Sequence, residues 1–285
     1  MLSNKQKKKL LKNKKQTALT AKDTDYIAEM KHYRDLFKDY PSVVFLINNV
    51  IESDHLIKSG ILPQDLPELI LPNNIQDEIF KKINAKFAKD DPQGDKLWAK
   101  LSEALPKLDK ALRNYRDYLE EKFGMGTYIS APCVKDLAEY IGKNSVLEIM
   151  TGNGYISKGL RNLGVKVYPT DSLTWTKENQ TGKHQLLPIE QMDAISAIKK
   201  YASEVNYVIM SWSPDKDPID QQVLQEIRKA DNKQLKLIVI GEKNGATNSK
   251  KFWELAKFVD ENQAKKLNVH HQPFDLIKDQ VYLVE

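Results

Sequence analysis

From residue 127 onward, short apolar runs alternate with amphipathic helical segments, and this alternation restricts the fold more than any other feature. Runs such as SVLEIM, NYVIMSW and LKLIVIGE have the length and composition of buried strands, whereas YISKGLRNLG, QQVLQEIRKA and FWELAKFVDEN repeat apolar residues with a helical period. A strand followed by a helix and another strand predicts parallel pairing through right-handed crossovers. The pattern therefore predicts an α/β fold with a doubly wound sheet.

The last two apolar runs differ from the others. NVHHQPF and DQVYLVE are joined by LIKD, which is too short for a crossover helix. Strands with such a short connection pair antiparallel. We therefore expect the sheet to end in an antiparallel terminal hairpin.

Residues 24–126 have helical periodicity throughout. One helical face collects Ile27, Met30, Tyr33, Leu36 and Phe37, and a later one collects Leu97, Leu101, Leu105, Leu108, Leu112, Tyr115 and Leu119. Prolines at positions 63, 67, 72 and 92 mark helix starts and connections. The sequence predicts an all-helical N-terminal module over 24–126, a hinge at Gly124-Met125-Gly126, and a sheet domain over 127–285.

Residues 1–23 are predicted to be a basic tail. Eight lysines and no acidic residue lie within the first 22 positions, so the rest of the chain is net negative although the whole chain carries +5. Two interpretations stay open: a solvated, disordered start, which we favour, and an RNA- or DNA-binding arm formed by residues 1–22. Any nucleic-acid partner should depend on this tail.

Neither a membrane span nor a metal site is expected from the composition. No apolar run approaches the roughly 18 residues of a membrane helix, and the longest candidate is broken by Asn48 and Asn49. The N-terminal residues continue basic and polar where a secretory signal would be apolar. With one cysteine, Cys133, and scattered histidines, we expect no disulfide, no metal, and a cytoplasmic location.

The turn VLEIMTGNG raises the question of a ligand, because a strand-like run leads into Gly152 and Gly154 with one asparagine between them. Glycines at such a position let another molecule approach the backbone closely. A phosphate-binding loop would continue Gly-Lys-Ser/Thr, but Tyr155 follows Gly154, which excludes that class. A dinucleotide site wants a third glycine where Ser157 stands, which weakens that class and leaves it open.

Glu148-x-Met150-x-Gly152-x-Gly154 resembles the first motif of class I S-adenosylmethionine-dependent methyltransferases, an acidic residue followed by glycines at alternate positions. Met150 departs from the motif, since it stands at the first glycine position. Further similarities follow in the family's order: VKVYPTD ends in an acidic residue, Met-Asp-Ala follows LLPIEQ, and SWSP stands where amino-directed members carry Asn/Asp-Pro-Pro-Tyr. The resemblance covers residues 127–285.

This resemblance implies a seven-stranded Rossmann-like sheet, S-adenosyl-L-methionine as cofactor, and methyltransferase activity. The cofactor-binding residues that it implies are Glu148, Gly152, Gly154, Asp171, Asp193 and Ser211. In such a site Asp171 accepts hydrogen bonds from the ribose hydroxyls and Asp193 holds the adenine. Judged from the residues alone, Asp171 and Asp193 are also good helix caps, and this alternative stays open.

Four residues are candidates for the substrate pocket: Trp212, Pro214, Glu242 and Tyr128. Trp212 lies between two serines at a strand end, where it faces either the substrate or the core, while packing is favoured for Tyr128. Glu242 either binds a cationic substrate or is simply solvated. The sequence identifies neither a catalytic residue nor the methyl acceptor, and a non-catalytic binding or regulatory protein on a methyltransferase scaffold is the alternative function.

Overall fold

The computed structural model describes residues 26–285, so the predicted basic tail lies outside the described residues. Contacts divide the chain into two compact units. One comprises the described parts of Met1–Glu52 and Leu69–Tyr118, and the other comprises Ser53–Glu68 and Leu119–Glu285. The domain boundaries predicted at residues 23 and 126 stay a prediction.

The first part of the described chain is helical, as its periodicity predicts. The helices are α1 (residues 26–36), α2 (Pro41–Lys58), α3 (Ile75–Lys86), α4 (Pro92–Arg113) and α5 (Tyr115–Phe123). Helix α4 begins where the Asp91 side chain accepts a hydrogen bond from the Gln93 amide at 2.8 Å, with Pro92 in the first turn. The apolar faces are buried, with Met30, Phe37, Ile79 and Leu108 fully inaccessible to solvent.

The second unit is built on a six-stranded sheet. Its strands are β1 (Val146–Ile149), β2 (Val167–Asp171), β3 (Glu190–Gln191), β4 (Tyr207–Ser211), β5 (Lys236–Gly241) and β6 (Gln280–Val284). The strand order is β3-β2-β1-β4-β5-β6, with β1 to β5 parallel and β6 antiparallel to β5. The order reverses between β1 and β4, and ligands bind at the carboxyl edge of such a point.

Helices cover both faces of this sheet. They are α6 (Ala131–Ile141), α7 (Tyr155–Asn162), α8 (Ala194–Tyr201), α9 (Ile219–Lys229), α10 (Lys250–Leu255) and α11 (Glu261–Leu267). Successive strand residues point to opposite sides: Val208 and Met210 join the core with α8 and α9, whereas Ile209 joins the core with α6 and α7. The prediction of a mostly parallel, doubly wound α/β sheet is confirmed.

The end of the sheet differs from the predicted hairpin and from the count of seven strands. Residues 268–279 contain no strand, so the described chain has six strands and β6 pairs directly with β5. Side-chain burial holds this segment instead: His271 is 5% exposed with Nδ1 at 3.8 Å from Cys133 Sγ, and the Phe274 ring packs against Tyr128 at 5.6 Å. These contacts take the place of a backbone ladder.

Within residues 26–285, no helix has the length and apolarity needed to cross a membrane.

Candidate functional site

A cavity of about 640 Å³ opens at the carboxyl edge of the sheet in the second unit. Its lining comes from the last residues of β1, β2 and β4 and from residues that follow β1 to β5, together with part of α5 and the segment between α5 and α6. This is the edge at which the strand order reverses, and the volume lies within the usual range for ligand sites of roughly 300–1,000 Å³. The turn VLEIMTGNG, at which the sequence predicts a ligand, therefore lies at this cavity.

The β1–α7 turn explains its two glycines differently. Gly152 has φ +62° and lines the cavity, and a Cβ there would have a single close neighbour, Thr181 Cγ2 at 3.2 Å. Gly154 has φ +85° but does not line the cavity, because the Leu187 side chain occupies the space in which its Cβ would lie. Gly152 thus leaves room on the cavity side, whereas Gly154 serves internal packing.

Glu148 lies at the base of the cavity and anchors the next helix. Its Oε2 accepts hydrogen bonds from the Ser157 amide at 2.9 Å and from the Ser157 hydroxyl, and the residue is 2% exposed. Burial raises the pKa of this carboxyl to about 8, against the opposing effect of the two Ser157 hydrogen bonds. Ser157 stands where the dinucleotide pattern requires glycine, and its role here is to donate two hydrogen bonds to the Glu148 carboxyl group.

Asp171 connects the turn after β1 with the turn after β2. Its Oδ2 accepts a hydrogen bond from the Gly152 amide at 2.8 Å and its Oδ1 one from the Leu173 amide at 2.6 Å. It lines the cavity and is 5% exposed. A carboxylate has about four acceptor positions, so both oxygens retain a lone pair for a ligand.

Asp193 and Ser211 also line the cavity. The Asp193 carboxylate caps α8 by accepting from the amides of Ile195 and Ser196 at 3.1 and 2.9 Å. A further bond from the Ser196 hydroxyl at 2.7 Å is the main reason that the pKa of Asp193 is lowered. The capping interpretation is therefore correct for Asp193, and its contact with adenine stays a prediction.

Trp212 and Pro214 line the cavity after β4, and their contact with a substrate stays a prediction. The Trp212 Nε1 donates to Asp279 Oδ2 at 2.9 Å, and this carboxylate also accepts from the Thr127 hydroxyl at 2.7 Å. The indole lies against Gly126, where a Cβ would come within 2.6 Å of the ring atom Cε3. Trp212 is thus a fixed wall of the cavity.

Two of the predicted pocket residues lie elsewhere. Tyr128 is buried, and its hydroxyl donates to the Gln64 carbonyl at 2.7 Å and lies 3.0 Å from Ser53 Oγ. The Glu242 carboxylate accepts from the amides of Ala246 and Lys278 at 2.7 and 2.8 Å. Neither residue lines the cavity. The Tyr128 hydroxyl is taken up by its contacts with Gln64 and Ser53, and the Glu242 carboxylate by two backbone amides.

Sequence reasoning missed Asn153 and Asp279. Asn153 donates to the carbonyls of Phe123 and Gln180 at 2.7 and 3.1 Å and accepts from the His184 amide at 3.1 Å, so it ties the motif to two flanking segments. Its place between the two glycines was a usable signal. Asp279 gave none, since it lies 67 positions from Trp212 in the sequence.

Non-glycine residues with left-handed backbone cluster around this cavity. Met150, Leu173 and Trp212, which follow β1, β2 and β4, have φ of +52°, +58° and +52°. Such conformations cost about 1–2 kcal/mol for a residue with a Cβ, and backbone strain of this kind concentrates at functional sites. At Met150, the family's glycine would avoid this cost.

Replacing Met150 by glycine should therefore stabilise the chain relative to Met150→Ala by about 1 kcal/mol, because alanine keeps the strained Cβ while both variants lose the side chain. Urea denaturation of both variants measures the difference. If the two midpoints coincide, backbone strain at this position does not explain the departure from the motif.

The chain was compared with protein-family models, curated proteins and solved structures. No protein-family model matches the chain, and no curated protein matches it. The solved structures that match include TehB from Haemophilus influenzae, at 16% identity over 60% of this chain and 66% of that chain, with a TM-score of 0.32. This chain therefore spans slightly less than two thirds of TehB.

Two further matches carry methyltransferase names. Magnesium protoporphyrin IX methyltransferase (ChlM) from Synechocystis PCC 6803, solved with bound SAM, is 13% identical over 59% of this chain and 93% of its own, with a TM-score of 0.32. The mitomycin 7-O-methyltransferase MmcR is 13% identical over 76% of this chain and 74% of its own, with a TM-score of 0.31. At TM-scores of 0.31 and 0.32 these matches carry no argument about the activity or the cofactor of this chain.

Proposed function

We propose that this chain is an S-adenosylmethionine-dependent methyltransferase that binds its cofactor in the cavity at the carboxyl ends of β1 and β2. One observation carries the proposal: the Asp171 carboxylate at the end of β2 bonds to the Gly152 amide at 2.8 Å, and both residues line the cavity. A carboxylate with remaining lone pairs at this place suits the two hydroxyls of a ribose.

The residues around the cavity fit this cofactor. Gly152 leaves space on the cavity side, Asp171 offers acceptors, and the buried Glu148 carboxyl lies in the same lining. When bound, S-adenosylmethionine supplies a methyl group activated by its positively charged sulfur. The chain's own task is then to orient the acceptor and to exclude water, which requires few catalytic side chains.

The residues after β4 are the part of the lining that can orient an acceptor. Trp212 is held by Asp279, and Pro214 follows it. Among the exposed carboxylates at the cavity, Asp215 is the candidate for a general base. The cytoplasmic location and a nucleic-acid partner for residues 1–22 stay predictions.

Calorimetry tests cofactor binding directly. We expect the purified chain to bind S-adenosylmethionine and its demethylated product, and to bind NAD more weakly or not at all. Asp171→Ala should weaken cofactor binding by about 1–3 kcal/mol, because acceptors for the ribose hydroxyls are lost. Tighter binding of NAD, or no binding of either sulfur compound, would contradict the proposal.

A pair of glycine variants separates the cavity from general backbone strain. Gly152→Val fills space beside the cavity and should abolish cofactor binding. Gly164 has φ +83° with no atom within 4 Å of a Cβ and does not line the cavity, so Gly164→Val imposes similar backbone strain elsewhere. Equal cofactor affinity in the two variants would show that Gly152 does not face the ligand.

A further inference from the structure

The charge of the cavity lining points to the class of molecule that it accepts. No lysine, arginine or histidine lines it within residues 26–285, whereas seven carboxylates do. Three of these, Glu148, Asp171 and Asp193, are the predicted cofactor positions. The remaining four are all exposed: Glu120, Glu121, Asp215 and Asp217.

Asp215 is a carboxylate of the cavity lining that forms no hydrogen bond or ion pair within the described residues. Asp217 accepts a hydrogen bond from the Ile219 amide at 3.0 Å at the start of α9. Asp215 has neither a hydrogen bond nor an ion pair with any of residues 26–285, although it lines the cavity. An exposed, unpaired carboxylate at a cavity rim can pair with a cation that enters.

Ser213 supplies a second and independent observation. It lines the cavity and is 1% exposed, and its Oγ has no hydrogen-bond partner among the described residues. Buried hydroxyls normally have a partner, so the unpartnered Ser213 Oγ is available to a ligand group. A hydroxyl oxygen accepts hydrogen bonds, and an ammonium group has only donors.

Trp212 completes the rim with an aromatic surface. The only hydrogen-bonding group of an indole is its N–H, and that group is already committed to Asp279. What Trp212 offers to the cavity is therefore its ring. Tryptophan is the best aromatic partner for a cation, and the interaction strengthens when the cation is desolvated.

We propose that the part of the lining formed by Trp212, Ser213 and Asp215 binds an alkylammonium group, so that the methyl acceptor is an amine that arrives as a cation, such as a lysine side chain or a polyamine. For transfer the ammonium first loses a proton, which the Asp215 carboxylate accepts and passes to water. The neutral nitrogen then forms the bond to the methyl carbon as the carbon–sulfur bond of S-adenosylmethionine breaks, and S-adenosylhomocysteine is the leaving group. That the bound amine accepts a methyl group rests on the proposed function, whereas the binding of an alkylammonium group does not. Among residues 26–285 the lining has no cation, and the exposed carboxylates of Asp215 and Asp217 repel phosphodiesters, so this lining disfavours a nucleic-acid acceptor.

Binding of defined probes to the full chain tests the proposal, each measured with and without S-adenosylhomocysteine. The probes are acetyl-Gly-Lys-Gly-amide, the same peptide with Nε-acetyllysine, spermidine, and a thymidine decanucleotide. We expect the lysine peptide or spermidine to bind, and acetylation to weaken peptide binding at least tenfold. A response to spermidine alone identifies a small polyamine, and a response to the peptide identifies a protein side chain.

Charge variants show whether Asp215 contributes. Asp215→Asn removes one charge from an exposed residue without breaking a contact. It should weaken the binding of the cationic probes about fivefold, which corresponds to the Coulomb contribution of one exposed ion pair. Asp231→Asn is the control, since Asp231 is exposed and does not line the cavity.

Several outcomes overturn the inference. They are equal binding of the acetylated and free lysine peptides, equal behaviour of the two variants, preferred binding of the oligonucleotide, and binding of no probe. Failure to bind S-adenosylhomocysteine overturns the proposed function separately, because the probes are also titrated in its absence.

Discussion

Asp279→Ala is expected to destabilise the chain by about 3 kcal/mol and to release Trp212 from its fixed position. Asp279 is 3% exposed, and its Oδ2 accepts from Trp212 Nε1 at 2.9 Å and from Thr127 Oγ1 at 2.7 Å. His271 Nε2 lies 3.7 Å from the same oxygen. Alanine would leave two buried donors without this acceptor, and each such loss costs about 1–3 kcal/mol. Urea denaturation, monitored by tryptophan fluorescence, measures the change in the free energy of unfolding.

Two further variants define its origin. Asp279→Asn keeps a carbonyl oxygen in nearly the same place and should recover part of the lost stability. Asp231→Ala, at an exposed position, should change the free energy of unfolding by no more than about 0.5 kcal/mol. If Asp279→Ala behaved like the Asp231 control, the buried carboxylate would not hold the cavity wall.

The central strands of the sheet were predictable because each of them carries its own signal, whereas the polar two-residue β3 has none and was not predicted. SVLEIM, NYVIMSW and LKLIVIGE are buried on both faces, so nearly continuous apolar runs mark β1, β4 and β5. The run NVHHQPF misled the prediction because its apolar residues pack through side chains. The Phe274 ring packs edge-on against Tyr128 and His271 lies beside Cys133, and such distant partners leave no local pattern.

The candidate site was predictable where a residue's role depends on its place at a strand end. Asp171 and Trp212 follow predicted strands and do line the cavity. Glycines were harder to interpret, because a sequence does not distinguish a glycine needed for close packing from one needed for backbone flexibility. Gly124 and Gly126 suggested a hinge, yet a Cβ at Gly124 would lie 2.7 Å from the Gln180 carbonyl carbon, and one at Gly126 would meet the Trp212 ring. Close packing thus explains the choice of glycine at both positions, and the hinge itself stays a prediction.

Glu148→Gln is expected to change how stability depends on pH. Burial raises the pKa of Glu148 in the folded chain from about 4.5 to about 8. Between these values the unfolded chain has released the proton and the folded chain has kept it, so stability falls as pH rises, by at most about 1.4 kcal/mol per pH unit. Below pH 4.5 this carboxyl contributes no slope, and above pH 8 the loss is complete.

Glutamine removes this titration and retains an oxygen that can accept from Ser157. The difference in unfolding free energy between Glu148→Gln and the natural chain should therefore grow from pH 5 to pH 8 in favour of glutamine, by a few kcal/mol. Asp136 raises the pKa of His270, which also lowers stability as pH rises, but His270 is present in both proteins and cancels in the difference. Glu139→Gln, at an exposed position, is the control. Parallel stability curves for the natural chain and Glu148→Gln would mean that Glu148 is already ionised in the folded chain, and that the cavity carries its charge before any ligand arrives.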